Sequence, residues 1–167
     1  MIRMRLAALT LTAAAFAAVA LVGEETPKTS AGRMQQAAAK FLAAAPAEVK
    51  AKAAFAFDDP HRLKWYFTPQ QDKEKKFTRK GARLEEMPAE QKAAALALLR
   101  TGLSEKGYET ATTIIGLENL LLELEGPKGA MTRNPGWYFV SVFGEPSATG
   151  KWGWRFEGHH LSVNYTL

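Results

Sequence analysis

Alternation of apolar and polar side chains in the last sixteen residues constrains the fold of this chain more than any other feature. Residues 152–167 read WGWRFEGHHLSVNYTL, and a two-residue turn at Glu157 and Gly158 pairs them as a β-hairpin. Successive side chains of a strand point to opposite faces of a sheet. In this register the aromatic residues of the first strand share a face with Leu161, and the polar residues gather on the other face. A shift of one residue would mix the two sets, so the sequence predicts a hairpin with one buried face.

The polar face of this predicted hairpin carries the candidate chemistry. Arg155 lies opposite His160, and a fixed positive neighbour lowers the pKa of a histidine and keeps it neutral. Neutral imidazole can act as a base or ligate a metal. We therefore predict three catalytic residues: His160 as base or as ligand of a divalent metal, Arg155 as binder of an anionic or carbonyl group, and Asn164 as the residue that orients substrate. Predicted substrate-binding residues are Ser162, Trp154 and Arg62. The alternative is a solvated polar sheet face without a site.

Three other polar residues are interpreted as structural. His159 falls on the aromatic face and is expected to be a packed histidine. Glu118, inside an apolar helical stretch, is interpreted as a charge at the boundary of the core, with a buried functional carboxylate as the alternative. His61 follows Asp58 and Asp59, which are expected to cap a helical turn, and a metal role is its alternative. No HExxH, GxSxG, P-loop or GxGxxG pattern occurs, so no motif assigns a reaction.

The first twenty residues predict a secretory signal peptide. A basic start, Met1–Arg5, precedes the apolar run Leu6–Val22, and Ala18-Val19-Ala20 offers a cleavage site after Ala20. The run is at the lower limit for a membrane span, so an uncleaved anchor is the alternative. The chain contains no cysteine, which excludes disulfides and thiol nucleophiles. We expect a secreted or periplasmic protein with a short polar linker at 21–29.

Basic residues concentrate between Gln70 and Arg83, in QQDKEKKFTRKGAR. Nucleic-acid-binding patches combine such charge with several aromatics, but here Phe77 is the only aromatic, and Asp72 and Glu74 interrupt the positive charge. A solvated loop is the preferred interpretation. We therefore expect a small-molecule ligand or substrate, and neither a nucleic-acid partner nor a membrane partner beyond the signal segment.

The order of the predicted elements indicates an α+β fold. Hydrophobic residues make up 47% and charged residues 23% of the chain, as in globular proteins. Helices come first and an antiparallel β-meander follows, which differs from the alternation of a βαβ protein. We predict a single domain over 30–167. Its helices are predicted at 32–44, 46–57, 88–101 and 104–125, and its strands at 63–68, 137–143 and in the terminal hairpin. Ser30 and Ser104 are the predicted N-caps of the first and last helices, and Gly126 is predicted to end the last one.

Several segments together resemble a known family. These are AFAFDDPHRLKWYFTP, LEEMPAEQKAAALALLRTGLSEKGYETATTIIGLENLL and the ending NPGWYFVSVFGEPSATGKWGWRFEGHHLSVNYTL, of which the WGWR-x-x-GHHLS-x-N part is the most specific. They resemble the bacterial family catalogued as domain of unknown function 3500, over roughly 41–167. The resemblance implies an exported protein about twice this length, with another histidine-containing segment beyond the part present here. It implies no reaction.

The chain ends abruptly at Leu167, in a strand with no following turn. Outer strands of a sheet are normally paired, covered or blunted by charge, whereas Leu161, Val163 and Tyr165 leave this one apolar. We therefore expect an incomplete domain whose carboxyl-terminal half is missing, and poor solubility of residues 21–167 alone. The favoured function is an exported enzyme of unassigned chemistry, with a non-catalytic ligand-binding module as the alternative and an inactive fragment as a third possibility.

Overall fold

The computed structural model describes residues 29–167. The predicted signal peptide at 1–20 lies outside the described residues, as does the predicted linker up to residue 28. Within the described part, no helix combines the length and the apolar character needed to cross a membrane.

Four α-helices form one layer of the molecule. They are α1 (Ser30–Ala44), α2 (Ala47–Ala53), α3 (Ala89–Thr101) and α4 (Glu105–Glu125), with 3₁₀ turns at Pro60–Leu63 and Leu84–Glu86. The hydroxyl of Ser104 accepts the Gly107 N–H at 3.1 Å and caps α4, as the sequence predicts. Thr29, rather than the predicted Ser30, caps α1 by accepting the Gly32 N–H at 3.0 Å.

Five strands form a mixed sheet, which confirms the α+β class. They are β1 (Ala54–Phe55), β2 (Ala82–Arg83), β3 (Phe139–Phe143), β4 (Gly153–Gly158) and β5 (Leu161–Thr166), in the order β1-β3-β4-β5. The predicted antiparallel meander is β3-β4-β5. Short β2 also pairs with β3 antiparallel, whereas β1 pairs with β3 in parallel. The prediction of a second helix reaching residue 57 is wrong at its end, because Ala54 and Phe55 hydrogen-bond to the sheet instead.

The helices cover one face of this sheet. Val140 and Val142 of β3 point to the same side as Phe156 and Trp154 of β4, their cross-strand partners. All four are buried and belong to one apolar cluster with α1 and α3. Removing such area from water stabilises the fold by roughly 25 cal/mol per Å². The predicted packing of Trp152 and Trp154 into the core is confirmed.

The long segment 56–81 covers the opposite face. Phe139 packs on Phe77, with ring centroids 5.6 Å apart, and Phe143 packs on the ring of His61 at 5.7 Å. Between these apolar contacts lie Arg155 and polar groups of the sheet. Because helices cover one side and this segment the other, β3 is buried along its whole length.

The strand predicted at 63–68 does not form. After the 3₁₀ turn the chain continues without a regular element, and its large apolar side chains face outward: Leu63 is 73%, Trp65 54% and Phe67 52% exposed. The backbone oxygens of this segment accept hydrogen bonds from two arginine side chains rather than from a neighbouring strand. An aromatic run forms a strand only where the edge of a sheet is available to pair with it, and this segment has no such edge beside it.

The predicted register of the terminal hairpin is wrong by four residues. Arg155 pairs with Asn164 and Trp154 with Tyr165, while the turn is formed by His159 and His160. An even shift keeps each strand residue on its predicted face, because side chains alternate with a period of two. The division into an aromatic and a polar face therefore holds, whereas the predicted pairing of Arg155 with His160 does not.

Gly158 explains the error in the register. Glycine favours turns because it tolerates positive φ, yet Gly158 has no positive φ and lies in β4. A Cβ at this position would come within 2.6 Å of Cε1 of Tyr138, so Gly158 provides space for that ring. The left-handed conformation falls on His160 instead, with a φ of 54°.

Candidate active site

Arg155 is fully occupied by contacts within the protein. It is completely buried on the polar face of β4, and a guanidinium has five N–H donors and no acceptor. Each donor group has oxygens within hydrogen-bonding distance: Nε donates to Asn164 Oδ1 at 2.5 Å, Nη1 to the Lys64 carbonyl at 2.9 Å and Glu157 Oε1 at 3.3 Å, and Nη2 to the carbonyls of His61 at 3.1 Å and Arg62 at 2.6 Å. Arg155 thus fastens the 3₁₀ turn to the sheet and has no donor left for a substrate.

A second arginine extends this arrangement into a buried charge network. Glu157, 1% exposed, lies between Arg155 and Arg79, whose Nη1 donates to Glu157 Oε2 at 2.9 Å. Arg79 also donates to the carbonyls of Tyr66 at 2.7 Å and Thr68 at 2.6 Å. Burial lowers the pKa of both guanidinium groups and the carboxylate of Glu157 opposes that effect, so the three charges stabilise one another.

His61 lies against this network on its apolar side. Its ring packs against those of Phe55 and Phe143, at centroid distances of 5.1 and 5.7 Å. Burial, followed by the positive charges of Arg155 and Lys80, lowers the pKa of His61 to about 4. Asp59 caps the 3₁₀ turn by accepting the His61 N–H at 2.7 Å, as expected for this aspartate.

The structure separates His160 from the other two predicted catalytic residues. Arg155 and Asn164 are cross-strand partners in contact, but His160 occupies the turn, roughly 15 Å further along the hairpin at the usual rise per strand residue. His160 is exposed and its N–H donates to the carbonyl of Phe67 at 2.6 Å. The proposed single pocket of these residues is therefore not assembled.

The predicted substrate-binding residues also lie apart. Trp154 is 1% exposed and stacks on Tyr165 within the core, on the face opposite Arg155. Arg62 donates from Nε to the Phe57 carbonyl at 2.7 Å and places its guanidinium over the Phe57 ring. Ser162 accepts a hydrogen bond from Asn164 at 3.1 Å on the outer strand.

The structure instead joins His159 and Glu118. Nδ1 of His159 forms a short hydrogen bond with Oε1 of Glu118, and the side chains are 15% and 5% exposed. The backbone N–H of Asn134 donates to the other carboxylate oxygen at 3.3 Å, and the Tyr138 hydroxyl donates to the His159 carbonyl at 3.0 Å. These contacts fix a histidine in a turn against a carboxylate on a helix.

Helix α4 buries this carboxylate in preference to its own leucines. Glu118 is 4% exposed, whereas Leu117 is 45% and Leu124 74% exposed. Burying a carboxylate costs free energy unless it is paired and hydrogen-bonded. Glu118 is therefore held in place by its polar partners and not by apolar packing.

The geometry of the dyad determines which nitrogen is available. When Nδ1–H donates to a carboxylate, the lone pair resides on Nε2. Among the described residues, Nε2 of His159 has no hydrogen-bond partner, and it is not one of the fully buried atoms. A pocket of about 20 Å³ beside the dyad, also lined by Tyr138, Asn134 and Arg79, has room for a water molecule.

Arg133 lies beside the dyad, but Glu118 remains the hydrogen-bond partner of His159. Its Nη1 is 3.4 Å from His159 Nδ1, but Nε and Nη2 bind both oxygens of Glu125 at 3.0 and 2.9 Å. This bidentate pair raises the pKa of Arg133. The arginine contributes a fixed positive charge beside His159.

No group of three or more histidine and carboxylate side chains suited to a metal ion occurs within residues 29–167. His160 lies next to His159, with ring centroids 4.2 Å apart. The assignment of His160 as a metal ligand stays a prediction.

The sequence pattern favours structural roles for both members of the dyad, although one signal points to Glu118. Glu118 lies in the middle of an apolar helical stretch, and a carboxylate in such a position can be buried and functional. Its partner lies 41 residues away in the chain, and no sequence periodicity connects a helix to a hairpin turn at that distance.

Fold and site together define a class: an α+β domain in which a helix carboxylate orients a histidine in a β-turn. A family model described as Protein of unknown function (DUF3500) matches residues 27–167, and the chain belongs to this family. Searches of curated proteins and of solved structures found no match. Because the family description names no activity, the function is argued from the site.

Proposed function

We propose that this protein is a hydrolytic enzyme in which the Glu118–His159 dyad acts as a general base. The observation that carries the proposal is the burial of Glu118 against Nδ1 of His159, on a helix whose leucines are exposed. A carboxylate in this position selects the tautomer whose Nε2 accepts a proton. Positioned general bases contribute roughly 10²- to 10⁴-fold to a rate.

The proposed step is the attack of water on an acyl or phosphoryl centre. Nε2 of His159 takes a proton from water as the water oxygen bonds to the electrophilic atom. The bond to the leaving group then breaks, and the leaving group takes the proton from Nε2. Glu118 stays ionised throughout and stabilises the imidazolium that forms between the two transfers, as carboxylates do in other histidine dyads.

We also propose that the enzyme acts outside the cytoplasm. The support comes from the sequence of the first twenty residues, where a basic start, an apolar run and an A-x-A site follow one another. We expect a bacterial host that expresses the full chain to secrete it or export it to the periplasm. Amino-terminal sequencing of the exported protein should then begin at residue 21.

A panel of chromogenic carboxylic and phosphate esters tests the reaction with the full chain. We expect turnover of at least one ester class, reduced about a hundredfold or more by His159→Gln and by Glu118→Gln. Glu123→Gln, an exposed carboxylate on the same helix, is the matched control and should retain the rate. Loss of activity in His160→Gln together with normal activity in His159→Gln would support the sequence-based site and contradict the dyad.

A binding module without chemistry is the second candidate. It is favoured by the exposed side chains of Leu63, Trp65 and Phe67 on a backbone that two buried arginines hold in place. Rigid aromatic side chains bind ligands at low cost in conformational entropy. Saturable binding of a ligand with no turnover, unchanged by His159→Gln, would favour this module over the enzyme.

A further inference from the structure

A second, larger pocket borders Arg79. Its volume is about 460 Å³, within the range of small-molecule sites. The 3₁₀ turn at Pro60–Leu63 and the chain at 78–80 form its walls, and Glu157 with Arg79 forms part of its lining. Arg79 also borders the small pocket next to His159, so the two cavities are neighbours.

The charge of this pocket is positive. Lys64 and Lys80 both line it and both are exposed, and within residues 29–167 neither forms an ion pair with a carboxylate. The carboxylate of Glu157 is neutralised by Arg79 and Arg155. Asp59, the other carboxylate of the lining, accepts the His61 N–H through Oδ1 and offsets one of the two ammonium charges. The lining therefore keeps a net positive charge that attracts an anion.

The remaining lining is polar and partly aromatic. The side chains of Gln70 and Thr78 supply hydrogen-bonding groups, and Tyr66 supplies an aromatic wall that is 46% exposed. Aromatic and amide or hydroxyl groups in one pocket suit a ligand that carries both a ring and hydroxyl groups. The volume is larger than a bare inorganic anion fills.

We propose that this pocket binds a hydroxylated carboxylate of the size of a sugar acid, with Lys64 and Lys80 binding the carboxylate. Charge-assisted hydrogen bonds from the two amines supply the attraction, and Gln70 and Thr78 select for hydroxyl groups. The proposal is independent of the dyad, because it concerns binding and requires no turnover.

Calorimetric titration of the full chain with D-glucuronate tests it, with D-glucose and inorganic phosphate as comparison ligands. We expect saturable glucuronate binding that weakens with salt and falls about tenfold or more in Lys64→Gln/Lys80→Gln. The matched control is Lys73→Gln/Lys76→Gln, two exposed lysines of the same segment outside the pocket, which should bind normally. Chemical-shift changes at the amides of Thr78 and Lys80 in the unmodified chain should locate the ligand without any substitution.

Several outcomes would overturn the proposal. Equal losses in the two double variants would show attraction to general positive charge, and equal affinities for glucuronate and glucose would remove the role of the lysines. Phosphate binding as tight as glucuronate would contradict the sugar-acid assignment. Shift changes confined to residues outside the pocket would place the ligand elsewhere.

Discussion

The carboxylate of Glu118 holds Nδ1 of His159, joining the middle of α4 to the turn between β4 and β5. Ala111 and Glu118 are the two buried residues of that helix. The helix is therefore fixed near its centre by a polar contact, while Leu120 and Leu124 remain exposed. The proposed general base therefore depends on the packing of α4 against the sheet.

Glu118→Gln should change the tautomer of His159. A glutamine can present its NH₂ group to Nδ1, so the preference for Nδ1–H that the carboxylate imposes is lost. Nitrogen-15 NMR of the imidazole rings measures this directly. We expect a protonated Nδ1 and an unprotonated Nε2 for neutral His159 in the unmodified chain, and a mixture in the variant. Glu123→Gln should leave the spectrum of His159 unchanged, and an Nε2–H tautomer in the unmodified chain would contradict the proposed base.

Glu157→Gln should destabilise the fold strongly. Removing this charge leaves Arg79 and Arg155 buried beside each other without a carboxylate, and such a loss costs about 3 kcal/mol or more. The free energy of unfolding in urea measures the effect. Glu145→Gln, an exposed carboxylate of the 144–152 connection, should change it by less than about 0.5 kcal/mol. Similar small effects of both substitutions would show that the network is not a major source of stability.

Arg155→Lys should lower stability rather than only weaken binding. Lysine has three donors on one atom and cannot reproduce the fork that reaches the carbonyls of His61, Arg62 and Lys64. We expect a lower melting temperature and faster proteolysis of the 60–68 segment. An unchanged melting temperature combined with a raised KM for a substrate would instead support the sequence-based role of Arg155 in substrate binding.

Gly158→Ala and Gly116→Ala should have opposite effects. A methyl group at 158 overlaps the buried ring of Tyr138, and overpacking of this kind costs about 1 to 3 kcal/mol. At Gly116, within α4, a methyl group meets nothing within 4 Å, and alanine is favoured over glycine in a helix by about 1 kcal/mol. Thermal unfolding of the two variants checks the contrast, and a neutral Gly158→Ala would mean that the Tyr138 ring can move aside.

His61 should make stability depend on pH. Its pKa is lowered from 6.5 to about 4 by burial and by Arg155 and Lys80, so the unfolded state binds more protons between those values. The free energy of unfolding therefore falls as pH falls through this window, and the contribution is fully present above pH 6.5. His61→Gln, which cannot titrate, should show a smaller loss over the same range in urea unfolding. Parallel pH profiles of the two proteins would exclude His61 as the source.

Regular elements with strong local sequence signals were predicted correctly. Helix α4 begins after Ser104 and ends at Gly126, as predicted, because a capping hydroxyl and a terminal glycine act within one turn of the helix. Alternation assigned Trp154 and Arg155 to opposite faces. This assignment is correct although the predicted register is wrong, because the shift in register is an even number of residues. The strand predicted at 63–68 failed because its aromatic residues have no sheet edge to join.

The sequence by itself determined the helices, the α+β class, the two faces of the hairpin and the membership of the family, since these follow from short-range periodicity and from matching segments. Tertiary structure alone decided the register, because the ring of Tyr138, the residue before β3, occupies the space at Gly158 and the turn forms at His159 and His160 instead. It also decided the partners of the charged residues. Burial makes an unpaired charge costly, so Arg155, Glu157 and Glu118 bind whatever groups the packed fold brings within reach, and those groups are distant in the chain.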